Sequence, residues 1–200
     1  SSYSGCRQYR EDLARASAEV GLNDQTAPQF SLLRKFYNHP GFIEPNVEAV
    51  QTAYARLPLE QRDTVPLLFT AHSIPSAMAQ YAMYEAQLKD ACGLVAERVG
   101  RPDWRLVYQS RSGSPGQPWL GPDIVEALTE LKANGEQAVV VSPIGFISDH
   151  MEVLYDLDTE AKQHADAIGL TMVRAATVGT ISIATIRIAA PWMWPSAPKA

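Results

Sequence analysis

From Val65 onward, short apolar runs bounded by turn residues alternate with longer amphipathic stretches, the patterning of a parallel sheet covered by helices. Four runs read as strands: 65–70 (VPLLFT), 104–109 (WRLVYQ), 138–142 (AVVVS) and 170–175 (LTMVRA). Helical periodicity fills the intervals over 75–99, 122–133 and 149–168, with Pro75 and Pro122 suited to a first helical turn. Crossovers of this kind are right-handed and leave the strands parallel. Two further helices are expected at 6–20 and 46–57, separated by a loop-rich passage around 28–45. The expected fold is α/β, a three-layer domain at 63–180 with a four-stranded parallel sheet flanked by helices. A helical region at 1–62 precedes it, and a Pro/Trp-rich tail at 181–200 fits neither pattern.

In an open parallel sheet, the segments beyond the carboxyl ends of the strands gather on one edge, where ligands bind. Three distinctive segments fall there: AHSIP after the first strand, SRSGSPGQPWL after the second and PIGFISDHME after the third. The topology therefore brings His72 close to the acidic stretch that begins at Asp149.

That stretch carries the sharpest chemical signal. Glu152, Asp156 and Glu160 recur every fourth residue in SDHMEVLYDLDTE, which lines three carboxylates along one helix face with His150 beside them. Successive members would sit roughly 6 Å apart along the axis. Like charges at that spacing destabilise a helix and favour uptake of protons or cations. A solvated acidic face is the bland alternative, but between Asp149 and Glu160 there are five acids and no Lys or Arg, whereas a surface helix usually mixes signs. Ser148 and Asp149 are candidate helix caps, and Asp158 falls off the row. In strict α geometry a row at intervals of four drifts by about 40° per step. A π-widened turn straightens it, so widening is expected between Glu152 and Glu160.

His72 reads either as a helix-entry residue, with His72 or Ser73 near the cap, or as a proton acceptor, since imidazole titrates near neutrality. Arg111 and Trp119, in the glycine-rich loop, suit a flat anionic aromatic ligand by charge pairing and stacking, although the loop also reads as an ordinary long connection. His39, His164, Cys92 and Trp192 lack comparable neighbours and read as surface or core residues.

Composition narrows the field. A net charge of −5 gives no basic field for nucleic acid. Cys6 and Cys92 belong to no metal or redox motif and read as free thiols in a reducing compartment, with the cytoplasm as the expected location. The apolar stretch 181–194 is interrupted by Arg187 and Pro191 and is too short to span a bilayer, which leaves room for a peripheral membrane contact. The opening at Ser1, without an initiator Met, reads as the middle of a longer protein.

The segments FTAHSIP, YQSRSGSPGQPWLGP and SPIGFISDHMEVLYDLDTE, in this order, resemble the ferrochelatases, which insert ferrous iron into a porphyrin in haem synthesis. The resemblance runs from about Ser1 to Gly179. The opening SSYSGCRQYRED is similar to the crossover between the two domains of actinobacterial members, so the chain is expected to be a C-terminal chelatase-like half whose N-terminal domain is a missing partner. The resemblance implies coproporphyrin III, or protoporphyrin IX, as substrate and Fe²⁺ as the inserted metal. It implies His72 and Glu152 as catalytic residues facing the porphyrin, and Asp156 and Glu160 as an acidic row that, with them, relays protons or hydrated metal. It places His150 in the SDH motif and Trp119 and Phe146 at aromatic positions near the pocket. Some members hold a [2Fe-2S] cluster through one cysteine at the position of Cys6 and three near the C-terminus. No cysteine follows Cys92, so no cluster is expected. Two alternatives remain, a chelatase for another tetrapyrrole or a non-catalytic metal- or tetrapyrrole-binding module.

Overall fold

The computed structural model describes residues 7–20, 34–113 and 116–179. The expectations for Cys6, for Trp192 and for the tail at 181–200 lie outside these residues. Four parallel strands, β1 (Leu67–His72), β2 (Trp104–Gln109), β3 (Ala138–Ser142) and β4 (Thr171–Arg174), form one sheet in the order β2-β1-β3-β4. β2 and β3 match their expected bounds. β1 starts after Pro66, which has no N–H to give the ladder, and runs on to His72 because pairing with β2 continues to His72↔Gln109.

Alternation along β1 splits the core in two. Leu67 and Phe69 face α2 (Pro40–Ala55) and α4 (Tyr84–Val99), in a cluster with Val50, Val95 and Val140. Leu68 faces the opposite layer, where it clusters with Leu128 of α5 (Ile124–Ala133), and with Val153 and Leu157 of the acidic segment. The result is the expected three-layer α/β arrangement. Among the described residues, no helix is long and apolar enough to cross a membrane.

Helix boundaries differ from expectation for local reasons. α2 begins at Pro40, six residues before the expected start, although Pro45 lies inside it. Pro45 removes only the N–H that would reach Gly41, and the Asn46 side-chain amide donates to the Phe42 carbonyl at 2.8 Å. With seven buried residues, α2 belongs physically to the sheet layer although it lies within the helical region at 1–62. The single helix expected at 75–99 is two, α3 (Ser76–Ala79) and α4, because their tertiary partners differ. α3 is tied to the 116–120 loop through Ser76 N–H to the Pro118 carbonyl, at 2.9 Å, whereas α4 packs Ala91, Cys92, Val95 and Ala96 on the sheet. α4 ends at Gly100 in the left-handed conformation (φ 69°) that glycine adopts without strain.

α5 opens on a reciprocal cap. The Asp123 carboxylate accepts from Val125 N–H at 2.8 Å, and the Glu126 carboxylate accepts from Asp123 N–H at 3.1 Å. Burial holds the Asp123 carboxyl above its usual range despite that backbone bond, and the nearby charges of Glu126 and Asp156 push the same way. A raised carboxyl pKa favours the neutral acid in the fold. Its contribution to stability is therefore complete below the unfolded value, near 4, and is lost as pH rises through the folded one. Asn caps as well as Asp without the charge. Asp123→Asn is expected to gain stability relative to the parent as pH rises above about 4, whereas Asp123→Ala loses about 1 kcal/mol at neutral pH. Urea midpoints across pH check both outcomes.

Candidate active site

In the order β2-β1-β3-β4, the connection leaving β1 turns toward β2 and the one leaving β3 turns toward β4. The crevice between the carboxyl ends of β1 and β3 is thus the switch point of the sheet, the position favoured for ligands in this class of fold. His72 closes β1 on one side, and the 143–152 segment descends from β3 on the other. His72 Nε2 lies 3.5 Å from Glu152 Oε1, with both side chains partly open to solvent.

Contrary to the helix-entry alternative, His72 is the last residue of β1 and the cap of α3 is Pro75. Its ring is set by its own neighbour. Nδ1 contacts the Ser73 carbonyl oxygen, which can only accept, so Nδ1 carries a proton and Nε2 is the ring nitrogen that faces Glu152. The His72 carbonyl accepts from Tyr84 Oη at 2.9 Å. Ser73 ties the strand end to its neighbours through its N–H to the Gln109 carbonyl (2.8 Å) and its hydroxyl to the Leu120 carbonyl (2.7 Å).

The acidic segment runs as α6 (Met151–Val153), a π-helix (Leu154–Ala161) and α7 (Lys162–Ala167). The widening expected from the carboxylate spacing is present, and Lys162 N–H reaches back five residues to the Leu157 carbonyl. Val153, Leu157 and Ala161 are fully buried, which turns the row of Glu152, Asp156 and Glu160 away from the core. Asp156 accepts from the Ser110 hydroxyl and from Gln109 Nε2 (3.3 Å), so the row also meets the end of β2. Ser110 holds its hydroxyl there from a left-handed backbone (φ 61°), a conformation costing a non-glycine residue on the order of 1 kcal/mol or more.

The acidic stretch is less devoid of basic partners than its own residues imply. Arg174, from the end of β4, pairs with Asp149 and Asp158, the two acids outside the row. Burial pulls the Arg174 pKa down, but its bonds to these carboxylates outweigh that and raise it. Asp149 is thereby diverted from capping. The cap is His150, whose Nδ1 accepts from Val153 N–H at 3.4 Å. Among the described residues no basic side chain pairs with Asp156 or Glu160, and no three His, Cys, Asp or Glu side chains converge closely enough to hold a metal ion together.

The remaining candidates occupy the surroundings. Phe146 is 8% exposed and presents its ring edge-on to that of His150, with centroids 5.5 Å apart. Trp119 is half-buried, its backbone bridged to Pro75 and its ring so close to Gly113 that a Cβ there would lie 3.0 Å away. Arg111 is exposed, and its charge reaches Asp123. None of these three touches His72 or Glu152 by a hydrogen bond, ion pair or ring contact among the described residues. An apolar cleft of about 300 Å³, lined in part by Phe36, Phe42, Tyr84 and Ile147, adjoins His72 through Tyr84. A second, of about 550 Å³, lies beyond the acidic segment beside Arg56, Lys162 and Arg174.

Gly145 is a positioning residue that the sequence pattern did not single out. A Cβ there would lie 2.6 Å from Ala71 Cβ and 2.7 Å from Ala71 Cα, and its N–H donates to the Thr70 carbonyl at 3.0 Å. The turn after β3 therefore rests directly on β1, and that contact brings the stretch leading to Glu152 alongside the strand that ends in His72. A glycine three residues before Ser148, where the acidic segment opens, was the available signal.

A family model described as Ferrochelatase matches residues 1–188, which carries the likeness past Gly179 and into the stretch set apart as a tail. The coproporphyrin III ferrochelatase of Streptomyces coelicolor is 49% identical over 193 residues, covering 89% of this chain and 52% of that protein. That of Nocardia farcinica is 48% identical over 186 residues, with 89% and 52% covered. The ferrochelatase of Rhodopirellula baltica is 49% identical over 181 residues, with 90% and 50% covered. The chain spans about half the length of the curated relatives it matches.

Gly145→Ala is expected to cost about 1–3 kcal/mol by overpacking. Ala71→Gly in the same chain removes the nearest atom and recovers part of that loss, which a double-mutant cycle of denaturation midpoints measures.

Proposed function

The chain belongs to the ferrochelatase family, and we propose that it forms the catalytic half of an enzyme inserting Fe²⁺ into a porphyrin, with coproporphyrin III as the preferred substrate and protoporphyrin IX as the other choice. The observation that carries this reading is the His72 Nε2–Glu152 Oε1 approach of 3.5 Å at the sheet's switch point, backed by a carboxylate row on a widened helix. Insertion of Fe²⁺ releases two pyrrole protons, so the charge entering equals the charge leaving. The site needs a base at the macrocycle and a path along which cations and protons exchange. His72 Nε2 is that base, Glu152 takes the proton from it or passes metal to the ring, and Asp156 and Glu160 offer oxygen ligands to a hydrated divalent cation or carry protons outward.

The surroundings suit a flat apolar ligand. Met151 and Tyr155, next to Glu152 and Asp156, are 80% and 61% exposed, an apolar fringe unusual beside a charged row. By its charge Arg111 suits a propionate and by its ring Trp119 suits the rim, while Phe146 packs edge-on against the His150 ring. The relatives' greater length leaves room for a partner half that would complete the porphyrin wall. A resident [2Fe-2S] cluster does not fit this chain. Four thiolates are needed, and its two cysteines include Cys92, fully buried among apolar side chains that push its thiol pKa up. The rival reading is a tetrapyrrole-binding module without turnover.

The test is to mix the full-length protein anaerobically with coproporphyrin III and Fe²⁺ and follow the absorption spectrum. His72→Ala is expected to lower kcat by roughly 10²–10⁴, and Glu152→Gln to slow insertion by a factor on the order of 10². Unchanged turnover in both variants removes the pair from the mechanism. Porphyrin binding without metallation in the parent supports the module.

A further inference from the structure

Asp149 and Asp158 stand outside the carboxylate row, yet one guanidinium holds both. Arg174 Nε and Nη2 donate to Asp158 Oδ1 and Oδ2 at 2.6 and 3.1 Å, and Nη1 and Nη2 donate to Asp149 Oδ1 and Oδ2 at 3.1 Å each. The Arg174 side chain is only 15% exposed. Along the chain these two anchors bracket Glu152 and Asp156, with Glu160 two residues beyond. Asp149 immediately precedes the cap His150, and Asp158 lies within the π-helix.

The apolar residues of the segment cannot supply the same control. Val153, Leu157 and Ala161 press it onto the sheet and decide which face turns outward, but apolar contacts lack the directionality that fixes the finer rotation about the helix axis. A doubly forked guanidinium does have direction. Its own position is fixed by the sheet, because Arg174 is in register with Val141 of β3 and Val141 with Leu68 of β1, the strand that ends in His72. A continuous set of paired groups thus joins His72, through three strands and one arginine, to the helix that carries Glu152.

We propose that Arg174 is a positioning residue: by clamping Asp149 and Asp158 it sets the rotation of the widened helix and so the separation of Glu152 from His72. Its consequence for turnover rests on the metallation reading above, whereas its consequence for the helix does not.

Arg174→Lys and Arg174→Gln in the full-length protein test it. Lysine keeps a charge but cannot fork to two carboxylates. Arg174→Lys is expected to lower metallation kcat roughly tenfold while the porphyrin KM stays within about twofold. Amide exchange across Leu154–Ala161 is expected to speed up about tenfold, with that of β1 unchanged. Adding Asp149→Asn and Asp158→Asn to Arg174→Gln removes the uncompensated charge, so Tm recovers but kcat does not. Parental exchange and kcat in Arg174→Lys, or kcat restored in the triple variant, overturns the proposal. If the parent binds porphyrin without metallating it, the functional reading falls and the exchange rates over Leu154–Ala161 alone decide the role of Arg174.

Discussion

The packing of the turn after β3 against the end of β1 is the contact on which the site depends. Strand pairing aligns β1 and β3 only over Leu67–Phe69 and Val140–Ser142, and beyond that the two chains must separate to form a crevice. Gly145 holds the separation to a minimum, since its missing side chain lets the turn sit against Ala71 and donate to the Thr70 carbonyl. A wider turn would carry the acids away from the imidazole at the strand end.

Charge is sorted around that contact in a way that explains how five acids coexist on one short segment. Two of them share the single positive charge of Arg174, while Asp156 is held by neutral donors and Glu160 has no basic partner among the described residues. That sharing eases the repulsion within the segment and leaves Asp156 and Glu160 outside the arginine's ion pairs. Among the described residues these carboxylates stand in a line rather than converging three to a site. Widening of the helix serves the row directly by keeping every fourth residue on one side.

Much of this was legible in the sequence because it is periodic. The strands announced themselves as apolar runs, and the carboxylate spacing was itself the reason to expect a π-helix. What escaped had no local signature. Arg174 lies 16 residues from Asp158 and 25 from Asp149, so its pairing with them belongs to the register of β4 rather than to any pattern along the helix. The role of Gly145 depends on Ala71, brought near only by the sheet. The start of α2 was misplaced because Pro45 reads as a breaker, and the compensating Asn46 side-chain bond is visible only in the fold. The capping role of His150 was hidden by better-known capping residues beside it, one of which is engaged elsewhere.

The short bond from His72 Nδ1 to the carbonyl of Ser73 joins two residues adjacent in the chain. Its geometry depends on their local torsions alone and not on how distant elements are arranged. The ring is left with a single working nitrogen, and every proton it gains must depart from the atom at which it arrived. In the proposed role of base, arrival and departure cannot overlap on one atom, so the imidazole would work in alternation, and its emptying through the neighbouring Glu152 would be the event that readies it for the next proton.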